Sequence, residues 1–328
     1  MITAHVKGEQ AFTRHQLKTG DSLPANSVWI DLLNPSAEED RHVETLTGIE
    51  IPTREDMAEI EESSRFYSEG GAQYLTAPLV HATTTPKPGV SPVTFIISGG
   101  RLVTVRYAAP TAFGLFETRL GKPGNEFCIP ETDGLMVMIG LLETVTDRLA
   151  DLLEGVAGHL DKEADDLFAD NKTPMSTPRF RSAMRLLGTQ GAFLSKVGES
   201  LQGLIRLVTY LNTEHAETSK KKAMKGRLAV LERDMQSLTR HADFLSNKIT
   251  LLLDTVVGLV SVEQNAIIKI FSVAAVGFMP PTLVASIYGM NFHFMPELDW
   301  AFGYPMAIGL MVLSALLPLW FFRHKGWL

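Results

Sequence analysis

Asn291 is the side chain in this sequence best suited to chemistry on an ion. It closes the run Tyr288-Gly289-Met290-Asn291 at the end of one uncharged apolar stretch, and Glu297 and Asp299 follow before a second such stretch begins. A carboxamide is neutral yet offers a carbonyl oxygen. Mg²⁺ dehydrates reluctantly and usually keeps several waters. A ring of carboxamide oxygens can bind those waters without stripping them, whereas a carboxylate ring holds the ion too long to conduct. A helix ending at Tyr288 would also present about −0.5 of a charge at its C-terminus, and the two carboxylates add formal negative charge. All of this draws cations. Taken alone, Gly-Met-Asn is equally an ordinary helix C-cap, a position that favours Gly and Asn.

The elements that must hold this loop are the two flanking stretches. Ile270–Phe292 and Ala301–Phe322 hold 23 and 22 residues, and about 20 apolar residues cross ~30 Å of hydrocarbon. A membrane hairpin is predicted. Only Lys269, Glu297, Asp299, Arg323 and Lys325 carry formal charge after Asn265, so a mean hydropathy of +0.08 hides a sharp partition. Lys269 precedes the first stretch, Arg323 and Lys325 follow the second, and the loop between has neither Lys nor Arg. The positive-inside rule then places both termini in the cytoplasm. The start, MITAHVKGEQAFTR, lacks the apolar core of a signal peptide, which suits a bacterial inner membrane. The net charge is −7, and the first 265 residues alone carry −8; that acidic polar part argues against nucleic acid as a partner and is compatible with cations. Cys128 is the only cysteine, so neither an internal disulfide nor a thiolate zinc cluster can form.

The expected class is an α+β membrane protein. Residues 1–130 read as a cytoplasmic α/β domain. Val28–Leu32 reads as a buried strand, Thr53–Ser64 as a short acidic helix, and Val93–Ile97 with Arg101–Arg106 as a hairpin around Ser98-Gly99-Gly100. Asn34-Pro35-Ser36, Thr85–Pro92 and Gly121–Pro130 read as loops. Residues 131–265 read as a stalk of long helices: Leu135–Asp170, broken near Asn171–Pro178, then Arg179–Asn212, then a third. In the third, Leu228, Leu231, Met235, Leu238, Ala242, Leu245, Ile249, Leu252, Val256 and Leu259 alternate steps of three and four, the seam of a coiled-coil-like bundle. One helix is predicted from about Lys222 through the first span, more than fifty residues. The rest divides into span one (266–292), an outer loop (293–302), span two (303–322) and a basic tail (323–328).

Tyr288–Phe292, followed by Met295-Pro296-Glu297-Leu298, Trp300 and Gly303-Tyr304-Pro305, resembles the CorA family of divalent-cation channels. Glu263-Gln264-Asn265, Ile267–Ser272, Pro280-Pro281-Thr282-Leu283 and the final Gly326-Trp327-Leu328 fit as well, and Trp29-Ile30-Asp31-Leu32 is a local match in the soluble part. The resemblance implies a homopentameric funnel with span one lining the pore. It implies a selectivity filter of Gly289, Met290 and Asn291. Asn265, Ile268, Phe271, Ala275, Met279, Thr282 and Ser286 recur at threes and fours, and family pore-lining positions map onto that face. Ile268, Phe271 and Met279 would close by dewetting. Periodicity alone equally allows this face to pack on a neighbouring helix. Glu297 and Asp299 would attract cations outside, and Lys269, Arg323 and Lys325, with His324, would form a basic collar inside. Pro280-Pro281 frees carbonyls near Val276 and Gly277, either a hinge or a static kink.

The transported ion implied is Mg²⁺, with Co²⁺ and Ni²⁺ alongside, and no cofactor is expected. Cytoplasmic Mg²⁺ would also regulate the pore at soluble-domain carboxylates. Asp234 and Asp254 are the candidates, ahead of Asp147, Asp151, Glu154, Asp161, Glu163, Asp165, Asp166 and Asp170. His293 stands where many relatives carry a carboxylate, which opens the mouth to pH or to softer metals such as Zn²⁺. The related zinc branch, ZntB, lacks the Met-Pro-Glu-Leu stretch and is the nearest alternative. A membrane-anchored sensor is another, though it gives no reason for a polar filter. No enzyme motif appears, and the scattered His5, His15, His42, His81, His159, His215 and His241 suggest no metal site.

Overall fold

The computed structural model describes residues 1–59, 61–85, 87–169, 177–214, 221–291, 293 and 295–326. Expectations resting on Asp170, Asn171–Ser176, His215, Phe292, Trp327 and Leu328 fall outside these. The chain forms two compact units, Met1–Phe168 with Arg185–Leu252, and Ala169–Met184 with Leu253–Leu328.

In the first unit, β3 (Ser27–Leu33) is buried along nearly its whole length, so each face needs its own cover. Strand side chains alternate between faces. Ile30 and Leu32 join Ile2 and Ala4 of β1 (Ile2–Lys7) in one core layer, closed by Val43 of α1 (Ala37–Thr47) and by Met57. Trp29 and Asp31 have the other parity. The Trp29 ring lies 6.1 Å from Phe113 and 5.8 Å from Phe116, both on α3 (Thr111–Leu120). The sheet is completed by β2 (Phe12–Leu17), β4 (Phe66–Glu69), β5 (Ala72–His81), β6 (Gly89–Ser98) and β7 (Arg101–Arg106). Its seven strands run in the order β2-β1-β3-β7-β6-β5-β4. Only β3 and β7 pair in parallel; the other neighbours are antiparallel.

The expected hairpin is β6–β7, turning at Gly99 (φ 56°) and Gly100 (φ 76°), the positive angles a two-residue turn requires. The expected loop Thr85–Pro92 is corrected at its end, because Gly89 to Pro92 continue β6 along β5, where Pro92 pairs with Pro78. Pairing with β7 starts only at Val93, so Pro92 costs no ladder bond. The single acidic helix Thr53–Ser64 is also corrected. A 3-10 turn, Asp56–Ala58, is followed by an extended Glu59 and by α2 (Glu62–Arg65). Asp56 accepts bonds from the Thr53 amide (2.9 Å) and hydroxyl (2.7 Å), a local closure that competes with a helix. Like charges at Glu55 and Glu59 oppose one further. The expected loop Asn34-Pro35-Ser36 leads directly into α1, where Ser36 and Glu39 form a full capping box.

Three long helices follow: α4 (Gly134–Phe168), α5 (Thr177–Glu214) and α6 (Lys221–Tyr288). Pro178 sits in the first turn of α5, where its missing N–H costs nothing. Arg227 bonds Glu143 in a fork (2.9 and 2.6 Å), and Lys248 pairs with Asp161, so α6 runs in the same sense as α4. Glu232 accepts from Thr209 and Asn212 near the end of α5, which therefore runs opposite to α6. Eight of the ten predicted seam residues on α6 are buried; Leu238 and Leu259 are half-buried.

His5 shows what burial does in this unit. It is 3% exposed and stacks on Trp29 at 4.1 Å. Burial, opposed by Asp31 and reinforced by Arg14 and Arg106, lowers its pKa from 6.5 to about 4. The unfolded chain therefore binds this proton more readily across that window. The stability due to neutral His5 is complete above the unfolded value and is lost as pH falls through the folded one, by up to about 3 kcal/mol. Between about pH 7 and pH 4.5 the melting temperature should drop further in the natural protein than in His5→Gln. Equal drops would exclude His5 as the group responsible.

Candidate ion pathway and its supports

In the second unit, α6 meets α7 (Gly303–His324). By length and composition both helices can cross a membrane. Val273 of α6 is buried, and Gly277 approaches Leu319 of α7. Asn265, Ile268, Phe271, Met279, Thr282 and Ser286 lie off this packed face, and all are exposed; Ile268 is 60%, Phe271 71% and Met279 68% exposed. α6 continues unbroken through Pro280 and Pro281. The Thr282 hydroxyl donates to the carbonyls of Phe278 and Met279, the acceptors next to those of Val276 and Gly277 that the prolines leave open.

Gly289 is not among the positive-φ glycines, so the helix ends here without the left-handed turn common at glycine C-caps. Its amide still bonds Ala285 O (2.9 Å), and Met290 N tightens onto Ile287 O (3.3 Å). A Cβ at 289 would sit 3.1 Å from Ala285 O, so close approach is what glycine permits here. Met290 and Asn291 follow, exposed, as is His293. The returning loop makes a 3-10 turn at Pro296–Leu298 and delivers Glu297 and Asp299 to the surface. A cavity of about 360 Å³ lies beneath, lined by Tyr288, Gly289, Glu297, Trp300, Tyr304 and others. Gly303 is fixed by sterics: a Cβ there would lie 2.1 Å from Glu297 O.

At the other end of the hairpin, Lys269 is exposed on α6, Arg323 and His324 are in the last turn of α7, and Lys325 caps it. His324 stacks on Trp320 at 5.9 Å.

The soluble carboxylates divide. Asp234 lines a cleft of about 490 Å³ with Arg119, Glu143, Asp147 and Arg227. Burial, then Glu143, Asp151 and Asp234, raise the pKa of Asp147 against the pull of Arg119. Asp161 is engaged by Lys248. Asp254 is exposed elsewhere on α6. Among the described residues no three His, Cys, Asp or Glu side chains stand close enough to hold one metal ion. Sequence reasoning missed the Arg227–Glu143 fork and the cleft, because nothing local to α4 or α6 signals their register.

An α/β unit with long helices, and two helices long and apolar enough to cross a membrane, fit a two-span membrane transport protein. The model of the family described as "CorA-like Mg2+ transporter protein" matches residues 24–324. The chain belongs to the CorA family. It is 34% identical over its whole length to the full magnesium transport protein CorA of Yersinia pseudotuberculosis. Its fold matches the complete CorA magnesium transporter of Methanocaldococcus jannaschii with a TM-score of 0.77 at 19% identity, covering 100% of this chain and 99% of that one. The ZntB cytoplasmic domain of Vibrio parahaemolyticus shares the fold more distantly, with a TM-score of 0.53 at 11% identity over 77% of this chain and 95% of that one.

Proposed function

We propose that the chain assembles as a homopentameric Mg²⁺ channel of the inner membrane, with span one lining the pore and both termini cytoplasmic. The observation that carries this is the exposed face of α6: Ile268, Phe271, Met279, Thr282 and Ser286 run along it toward Asn291 without being used to pack α7. Five copies would turn that face into a pathway and Gly289, Met290 and Asn291 into a neutral filter for hydrated Mg²⁺, with Co²⁺ and Ni²⁺ able to follow. Glu297 and Asp299 concentrate cations at the mouth. Lys269, Arg323 and Lys325 form the inner collar. Asp234 and Asp254 serve as regulatory positions between subunits, where bound Mg²⁺ holds the pore shut. The division at residues 130, 265, 292, 302 and 322 belongs to this reading.

A divalent ion gains about 2 × 2.3 kcal/mol per 100 mV of inside-negative potential, which is sufficient drive. The test is dye-reported Mg²⁺ influx into liposomes carrying the full chain, with Zn²⁺ in parallel. Potential-driven Mg²⁺ entry that stops when Mg²⁺ is loaded inside is the expected result. His293 is the one feature that favours a second cargo. Zn²⁺ entry without Mg²⁺ entry, abolished in His293→Ala, would overturn the magnesium reading in favour of zinc transport.

A further inference from the structure

A cavity of about 320 Å³ lies among α4, α5 and the chain that joins β5 to β6. Arg148, Leu152, Gly155 and His159 line it at steps of four, three and four, the spacing of a single helix face. From Arg148 to His159 is about 16 Å at 1.5 Å per residue. The middle is open, since a Cβ on Gly155 would meet nothing within 4 Å. Arg148 Nε and Thr83 Oγ1 are shielded from water, and among the described residues neither has a hydrogen-bond partner. A charged donor left unpaired is costly. Arg148 NH1 reaches Asp151 at 3.5 Å, but Asp151 is 64% exposed, and such a contact contributes little in water. A second cavity, of about 20 Å³, shares Thr83, Arg148 and Leu152 and extends to Pro110, Thr111 and Ala112 at the start of α3. No side chain caps α3 there, and a helix N-terminus carries about +0.5 charge. Toward His159, the imidazole Nδ1 lies 3.4 Å from Gln190 Nε2 of α5.

We propose that this groove binds a nucleoside monophosphate, its phosphate on Arg148 and Thr83 and its base beside Phe193 and Gln190. The site lies wholly in the soluble unit and depends on neither membrane placement nor ion conduction. Its charges select an anion. Asp151 is the one carboxylate in either lining; Asp147 and Glu154 of α4 and Glu199 of α5 lie outside both. Against Asp151 stand Arg148, the start of α3 and Lys196, whose Nζ donates to Pro88 O at 2.5 Å. A guanidinium matches phosphate oxygens in charge and geometry. A bare anion would occupy only one end of so long a groove. Phe193 lines the remainder and offers a ring on which a base can stack, while the Gln190 amide can both donate to and accept from a base edge.

Isothermal titration calorimetry of the full chain in detergent tests this, with adenosine monophosphate, adenosine and inorganic phosphate as probes and no Mg²⁺ in the buffer. Adenosine monophosphate should bind once per subunit, more tightly than either adenosine or phosphate alone. Arg148→Gln should weaken it roughly tenfold or more and leave adenosine as it was. Gly155→Leu fills the open middle without altering charge, and leucine suits a helix better than glycine. The helical circular dichroism should therefore hold while adenosine monophosphate is lost and inorganic phosphate still binds. No binding of adenosine monophosphate by the natural chain would overturn the proposal, as would binding undiminished in Arg148→Gln. Phosphate binding as tightly as the nucleotide would leave a bare anion site and overturn it too. So would a change of oligomer mass in Arg148→Gln, which would assign Arg148 to a contact between subunits. Because no flux is read, any of these results leaves the channel reading standing or falling on its own test.

Discussion

Asn291→Ala should reduce selective Mg²⁺ influx to the level of protein-free liposomes while leaving the oligomer and its melting temperature unchanged. The separation follows from where the side chain sits. Asn291 is exposed, one residue beyond the last backbone bond of the α6 end, Met290 N to Ile287 O. Among the described residues its carboxamide has no hydrogen-bond partner, so truncation removes nothing the hairpin depends on, and such surface changes usually stay within about 0.5 kcal/mol. What it removes is the acceptor offered to an ion's water shell. A hydrogen bond involving a charged group is worth about 1.5–3 kcal/mol, so even one lost per ion is roughly tenfold or more in occupancy, and a ring of five loses several. Asn291→Asp should fail differently: a carboxylate ring binds the ion harder and slows its exit, so tight block at low Mg²⁺ should replace free passage. Equal influx through Asn291→Ala and the natural protein would refute the filter.

How much of this was legible in the sequence follows from the range of the interactions. The α6 seam was readable because its steps of three and four reflect a helix's own geometry, and the structure buries Met235, Leu245 and Val256 accordingly. The hairpin at Gly99-Gly100 was readable because a turn is local. The two apolar spans were readable because lipid allows little else. The parallel pairing of β3 with β7 was not, since it joins Asp31 to Thr104 across 73 residues through intervening strands that signal only themselves. Asp234 was singled out as a bare acid on a helix face; its cleft with Asp147 and Arg227 arises only once α4 and α6 lie side by side. α1 is a different case, because Ser36 and Glu39 announced it locally and the loop-like Asn34-Pro35 obscured them.

Arg106→Met should destabilise the soluble unit by about 3–5 kcal/mol, the largest stability effect expected here. Arg106 donates from Nε and from its NH2 nitrogen to the two oxygens of Asp31 at 2.9 and 2.8 Å, and its NH1 nitrogen bonds Ala108 O at 3.0 Å. The guanidinium also lies over the Phe113 ring at 4.4 Å. Asp31 accepts from Thr104 Oγ1 at 2.7 Å, and Thr104 in turn accepts from Trp29 Nε1 at 2.9 Å. Asp31 is 1% and Arg106 6% exposed. Removing the cation therefore strands a carboxylate at the centre of the sheet with only one remaining donor, and burying an unpaired charge costs far more than the pair contributed. The contrast that tests this cause is the double variant Asp31→Leu with Arg106→Met. If the stranded charge is the cause, the double variant melts well above Arg106→Met, since replacing both ions with apolar side chains of similar volume is often neutral. If the loss instead comes from packing on Phe113, the double variant melts as low as the single. Thermal unfolding of the three proteins in one detergent separates the two outcomes, and the Mg²⁺ flux of whatever folds shows whether the sheet's interior matters to the pore.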